Sequence, residues 1–298
     1  MKTMTGLAIV VAVLVLGSCA PADTPPAEKR PEGLENGSFR AELNGFDIHY
    51  EVHGQGPVLM TLPNSWGLSL EGLRNLYRPL EEKLTVVYFD PRGMGESSEI
   101  TEESDMGMAA VRADFHPLRQ HLGLDTVNAI GWSNGAMNLI YLAAENPETL
   151  DAAIFLHGAA AYTEEDMAAM AQEYPEMIEA WQAFNQEMQN PELTDEERTV
   201  KQRALWLEEW FPLSFADQAA APATIDRIFG DAEFSWAHAD YSQRENPTFD
   251  ARDQLPLITA RSLVITGAHD MMPVRTGEEL ASGITGAEFV LFESSGHY

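Results

Sequence analysis

The apolar positions of this chain fall into short units with two different rhythms. Residues 39–43 and 46–52 alternate apolar and polar side chains around Asn44-Gly45, the pattern of two half-buried strands joined by a tight turn. Residues 58–62, 84–89, 126–130, 152–156, 262–266 and 288–292 are near-continuous apolar runs, as expected of strands covered on both faces. Between them, residues 71–83, 108–122 and 136–145 read as helices. Strand and helix in alternation predict an α/β fold: a mostly parallel sheet with helices on both faces.

The alternation breaks between residues 159 and 246. There Tyr174, Met177, Ile178, Trp181, Phe184 and Met188 recur at helical spacing among Glu and Gln, and residues 205–211 add Trp206 and Trp210. This predicts an inserted helical cap over 159–246, with the core formed by 38–158 and 247–298. No internal repeat is found.

The start of the chain does not belong to the domain. Met1-Lys2 is a short positive start, and residues 7–16 are an apolar run too short to span a bilayer comfortably. Residues 1–18 are therefore expected to be a secretory signal, and the Pro-, Ala-, Glu- and Gly-rich residues 19–37 a flexible tether. Leu16-Gly17-Ser18-Cys19 resembles the lipobox of bacterial lipoproteins. That resemblance implies cleavage before Cys19 and a lipid anchor to the membrane through it. Ala20, where an Asp would retain the protein at the inner membrane, points to the outer one. The expected location is the cell envelope, lipid-anchored on the periplasmic side.

Composition narrows the partners. The 298 residues suffice for one large domain or a core with an insertion. Against 47 acidic residues stand 18 basic ones, a formal net charge of −29, which repels phosphate backbones and argues against nucleic acid. Cys19 is the sole cysteine, so no internal disulfide forms.

The candidate chemistry centres on Gly131-Trp132-Ser133-Asn134-Gly135, a G-x-S-x-G stretch between an apolar run and a helical one. Such a strand-to-helix turn lifts a serine Oγ out of the sheet, with unpaired helix N–H groups beside it. A serine hydroxyl needs a base to become a nucleophile, and the base needs an orienting carboxylate. Both candidates follow later strands: Asp270 in Gly267-Ala268-His269-Asp270, and His297 in Ser294-Ser295-Gly296-His297. Asp151 and Asp253 are the weaker rivals for the acid. His157 ends a strand near the crevice, where it either packs as a strand-end histidine or lines the pocket. No H-E-x-x-H or other metal-ligand spacing appears, and no cofactor or metal is implied. Residues 90–97 lack the third glycine of a dinucleotide fingerprint and are expected to be structural.

Residues 62–67, 90–97, 131–135 and 267–270 with Gly296-His297 together resemble the α/β-hydrolase fold, in its cap-bearing branch of carboxylesterases, prolyl aminopeptidases, epoxide hydrolases and haloalkane dehalogenases. Ser133 argues against the last two, which have Asp at that position. The resemblance implies an oxyanion hole from the N–H groups of Asn134 and Ser65, although Pro63-Asn64 replaces the usual His-Gly. The expected activity is that of a serine hydrolase working through an acyl-enzyme on a small or medium ester with an apolar part. One alternative is a prolyl-type aminopeptidase, using cap carboxylates such as Glu173, Glu176, Glu179, Glu208 and Glu209 on a free amine. Another is a non-catalytic binding protein on the same fold. Either enzyme reading takes a small-molecule ester or amide. Because a further helix usually follows the histidine in the family, the resemblance also implies a chain continuing past Tyr298. As given, the sequence is then expected to leave His297 on a fraying end and an uncovered apolar strip beside the last strand.

Overall fold

The computed structural model describes residues 33–246 and 248–298. The expected signal over 1–18, Cys19 and most of the tether lie outside the described residues. At the end of the tether, Leu34 packs against the core.

The sheet has eight strands: β1 Gly37–Leu43, β2 Phe46–Gly54, β3 Val58–Leu62, β4 Thr85–Phe89, β5 Val127–Trp132, β6 Leu150–Leu156, β7 Arg261–Gly267 and β8 Glu288–Phe292. Their spatial order is β1-β2-β4-β3-β5-β6-β7-β8. β1 and β2 form the expected hairpin, whose turn residues Asn44 and Gly45 take φ of 53° and 85°, the geometry that Asn-Gly supplies at low cost. β2 joins β4 antiparallel, and every later pairing is parallel. β3 and β4 are buried at every position, which is why they read as continuous apolar runs rather than alternating ones.

Helices α1 Leu70–Tyr77, α2 Gly107–His121 and α3 Asn134–Glu145 fill the crossovers before the insertion. The helix expected over 71–83 divides at Pro79: α1 ends at Tyr77, and Arg78–Glu82 winds on as a 3₁₀ turn. One face of the sheet is closed by α2 and α3, through Val111, Phe115, Leu118, Leu139 and Ile140. The other face is closed by α1 and by apolar residues of the insertion, among them Phe211, Ile225 and Phe229.

The insertion runs as α4 Glu164–Glu173, α5 Pro175–Met188, α6 Asp195–Ala204, a π-helical turn Leu205–Trp210, α7 Ala221–Phe229 and α8 Trp236–Glu245. Capping boxes of Thr163 with Asp166 and Thr194 with Glu197 start α4 and α6. Tyr174, expected inside a helix, instead separates α4 from α5, because Pro175 bars the residue before it from the α conformation. Helix α9 Val274–Gly283 lies between β7 and β8. The apolar residues of β8 are half-buried, and Val290, Phe292 and Tyr298 pack against the insertion-side cluster, so the strip expected to be bare is partly covered.

Candidate active site

β5 ends at Trp132 and α3 begins at Asn134, so the whole turn is one residue, Ser133. Its φ of 54° and ψ of −121° are strained for any residue with a Cβ. The turn closes because its flanks are glycines. A Cβ on Gly131 would collide with the carbonyl oxygen of Gly135, and one on Gly135 would lie 2.6 Å from the carbonyl oxygen of Leu62. The Ser133 N–H donates to Leu156 O at 2.9 Å, fixing the turn to β6.

Asp270 follows β7, and its side chain has no exposure. His297 Nδ1 lies 2.9 Å from both its oxygens, and the Met272 N–H donates to Oδ1 at 2.8 Å. His297 itself is buried and pinned from two sides. Its N–H donates to Ser214 O at 2.8 Å, and its carbonyl accepts Trp132 Nε1–H at 3.1 Å. Tyr298 stacks on Phe215 at 5.2 Å and packs against Trp132 and Phe211. The fraying end expected at His297 is therefore tied down, by an aromatic cluster that the sequence spreads over three distant segments.

Among the described residues, Ser133 Oγ is hydrogen-bonded to neither His297 nor Asp270. What links the two segments is Trp132, the residue before Ser133, whose ring centroid is 5.3 Å from that of His297. The two rivals for the acid lie elsewhere: Asp151 accepts from Thr126 Oγ1 at 2.6 Å, and Asp253 is exposed.

His157 is buried against the candidate acid. Its Nδ1 sits 2.8 Å from Asp270 Oδ2, and its ring centroid is 5.2 Å from that of His297. Burial pushes the His157 imidazole down, more than the Asp270 carboxylate lifts it. Burial alone would push the Asp270 carboxyl up, but the His297 and His157 imidazoles outweigh it and hold it well below the usual carboxylate range. His157, Asp270 and His297 also have ligand atoms within 4.8 Å of one another, a spacing seen in metal sites. Their N–O distances of 2.8 to 2.9 Å are hydrogen bonds, and these engage both carboxylate oxygens. One signal for this contact is His157's place directly after β6, the strand that pairs with β7, which delivers Asp270.

The Ser65 N–H, expected to face an oxyanion, donates to Asn134 Oδ1 at 2.8 Å, and Ser65 Oγ donates to the same oxygen at 2.9 Å. Ser65 Oγ also meets Ser242 Oγ of α8 at 2.8 Å, linking the loop to the insertion. The physical reason lies in Asn134: its side-chain carbonyl is the nearest acceptor for a buried donor that must be satisfied. Asn64, where the family has glycine, is fully buried and donates Nδ2–H to Trp132 O at 3.2 Å, bracing the serine turn.

Glycine loop 90–97 is tied to α2 and to the insertion through Arg92. Arg92 makes a bidentate pair with Asp114, Nε to Oδ2 at 2.8 Å and Nη2 to Oδ1 at 2.7 Å, and its carbonyl meets His238 Nε2 of α8 at 2.8 Å. Above the serine turn, Trp132 meets Trp66, Trp66 meets Trp206 at 4.9 Å, Trp206 faces Trp210, and Trp210 meets Trp181 at 4.6 Å. Trp236 joins this row through Phe184. Glu173, Glu176, Glu179, Glu208 and Glu209 are all exposed.

Comparison with known proteins agrees with the fold. The chain is similar to a proline iminopeptidase from Saccharolobus solfataricus, 24% identical over 274 residues that span 85% of this chain and 84% of the relative. It is also similar to 3-oxoadipate enol-lactonase 2 from Acinetobacter baylyi, 27% identical over 263 residues that span 86% and 90%. Its fold resembles that of an alpha/beta fold family hydrolase from Bacillus anthracis, with a TM-score of 0.71 and 20% identity over 88% of this chain and 93% of that one. The family description that matches residues 58–298, most of the sequence, is the alpha/beta hydrolase fold, and to that family of hydrolases this chain belongs.

Proposed function

We propose that the protein is a serine hydrolase that cleaves a small or medium ester with an apolar part through an acyl-enzyme. Ser133 Oγ attacks the carbonyl carbon, His297 Nε2 takes its proton and passes it to the leaving group, and Asp270 holds His297 Nδ1–H. A water, activated by the same imidazole, then releases the acyl group. The developing oxyanion is held by the Asn134 N–H and, once Asn134 Oδ1 has turned away, by the Ser65 N–H. The observation that carries this reading is the buried Asp270 carboxylate bound by His297 Nδ1 at 2.9 Å, on a histidine anchored to the residue before Ser133.

Two further observations favour an ester over a peptide with a free amine. The cap carboxylates considered for an amine face solvent, and Trp132, the residue before Ser133, belongs to a row of indoles that offers only apolar faces and N–H donors. The relative named as an enol-lactonase supports the same choice, and the relative named as a proline iminopeptidase keeps the amide reading as the alternative. We also propose an envelope location with a lipid on Cys19, from the lipobox-like Leu16 to Cys19.

Labelling with a fluorophosphonate probe tests the nucleophile. Wild type is expected to be labelled at Ser133, Ser133→Ala to lose all labelling, and His297→Ala to lose about as much, because such residues act as a unit. Undiminished labelling of Ser133→Ala, or none of the wild type, overturns the reading. A panel of p-nitrophenyl esters against amino-acid anilides then decides between ester and amide.

A further inference from the structure

We propose that His157 is a positioning residue for the Asp270–His297 pair: its Nδ1–H holds one oxygen of the shared carboxylate and draws off charge that would otherwise act on His297. The inference rests on the triad reading above and adds a fourth member to it.

The hydrogen-bond inventory fixes the direction. An ionised carboxylate only accepts, so the 2.8 Å contact to Asp270 Oδ2 requires the proton on His157 Nδ1. The Gly267 N–H also points at this nitrogen, but at 3.4 Å, too long to compete for it. His157 is therefore the neutral Nδ1–H tautomer, in keeping with the burial that pushes its imidazole down. Asp270 then accepts from three donors, Met272 N–H, His297 Nδ1–H and His157 Nδ1–H. None of these three is a permanent cation.

The backbone points the same way. Among the described residues, three non-glycine residues have φ in the left-handed region: Asn44, Ser133 and His157. Asn44 belongs to the hairpin turn and Ser133 to the serine turn. His157, at φ 52°, has no turn of that kind to make, and its N–H donates to Ile265 O of β7 at 2.8 Å. A left-handed conformation is costly for an L-residue, whose Cβ is brought too close to the following carbonyl oxygen. What this backbone achieves is to aim the His157 ring at the carboxylate delivered by β7, and strain held at a site is a pointer to function.

The surroundings leave His157 as the modulator. The other titratable groups acting on Asp270 are His297 and the phenols of Tyr162, Tyr174 and Tyr298, all three of which burial pushes up, so they stay neutral. Asp166, beyond Tyr162, is paired with Arg275. Removing the His157 donor leaves more negative charge facing His297, which favours the protonated imidazole. The acid limb of any reaction that needs His297 as a base then moves to higher pH. The carboxylate also loses one of its fixed donors, so the reaction slows.

The test is the pH dependence of the fluorophosphonate labelling rate constant, with low-field proton spectra of histidine-labelled protein. Wild type is expected to show two hydrogen-bonded Nδ1–H resonances. His157→Phe is expected to lose one, to label roughly ten-fold more slowly at neutral pH, and to raise the acid limb by a few tenths to about one pH unit. Phe at φ 52° can impair folding, so His157→Gly, which accepts that φ, serves as the second variant and is expected to show the same shift. His157→Asn keeps an N–H donor and tolerates the backbone. It is expected to restore the acid limb to that of the wild type. The inference is overturned if wild type labels at Ser133 while the acid limb is the same in His157→Gly, His157→Asn and wild type, or if a single low-field resonance is present from the start. Failure of the triad reading looks different: Ser133→Ala then labels as well as wild type, whatever His157 is.

Discussion

Asn134→Ala should weaken the fold and quicken the chemistry. In the structure the Asn134 side-chain oxygen accepts both the N–H and the Oγ–H of Ser65, which is 1% exposed. Each such bond contributes about 0.5–1.5 kcal/mol net, so deletion should cost about 1–3 kcal/mol. For a chain of this size that lowers Tm by roughly 2–5 °C. The same bond to the Ser65 N–H must break before that donor can hold an oxyanion. Where it contributes about 1 kcal/mol, its absence lowers the barrier by as much, and the fluorophosphonate labelling rate should rise several-fold. The assay pairs a thermal melt with the labelling rate constant at one temperature well below both melts. A melt unchanged within error, or a labelling rate ten-fold slower than wild type, would refute the reasoning. The first would mean that Asn134 does not hold Ser65, and the second that its side chain assists the reaction directly.

Arg92→Met should cost about 3–5 kcal/mol in a urea melt, because among the described residues it leaves Asn44 Nδ2–H, at 2.8 Å, as the one side-chain donor to the buried Asp114 carboxylate. The double variant Arg92→Met with Asp114→Leu should recover most of that loss, and a double variant less stable than the single one would count against the pairing. Cys19→Ser should release the protein from the membrane fraction in a bacterial host. A wild-type mature protein that carries no lipid by mass would end the lipoprotein reading.

The strands were legible because burial on both faces leaves a run that no surface segment imitates. β3, β4 and the hairpin fall within a residue or two of their expected limits. The helices were legible in place but not in length, since periodicity continues through Pro79 and Pro175 whereas the α conformation does not. Ser133, Asp270 and His297 could be nominated because each sits just after a strand, where topology fixes the position of a side chain without any knowledge of packing. Asn134 as the acceptor for Ser65, and His157 as the second donor to Asp270, could not. Both depend on which rotamer a buried polar group takes to satisfy its neighbours, and that is decided by residues from three or four separate segments. The anchoring of His297 was hidden for the same reason, because Ser214 and Phe215 lie more than eighty residues before it in the chain.

The row of indoles has a consequence for how this protein can be watched. The sequence contains six tryptophans, and all six lie in the ring-to-ring series from Trp132 to Trp236, with none in the hairpin or in α2, α3 and α9. Excitation passes readily between indoles this close, so emission reports the whole series as a single antenna. That antenna spans the seam where the insertion meets the sheet. Intrinsic fluorescence is therefore a selective optical gauge of that seam, nearly blind to the far side of the sheet, whereas far-ultraviolet dichroism weighs the entire backbone. Parting of the insertion from the sheet would dim or redden the emission while the dichroism stayed level.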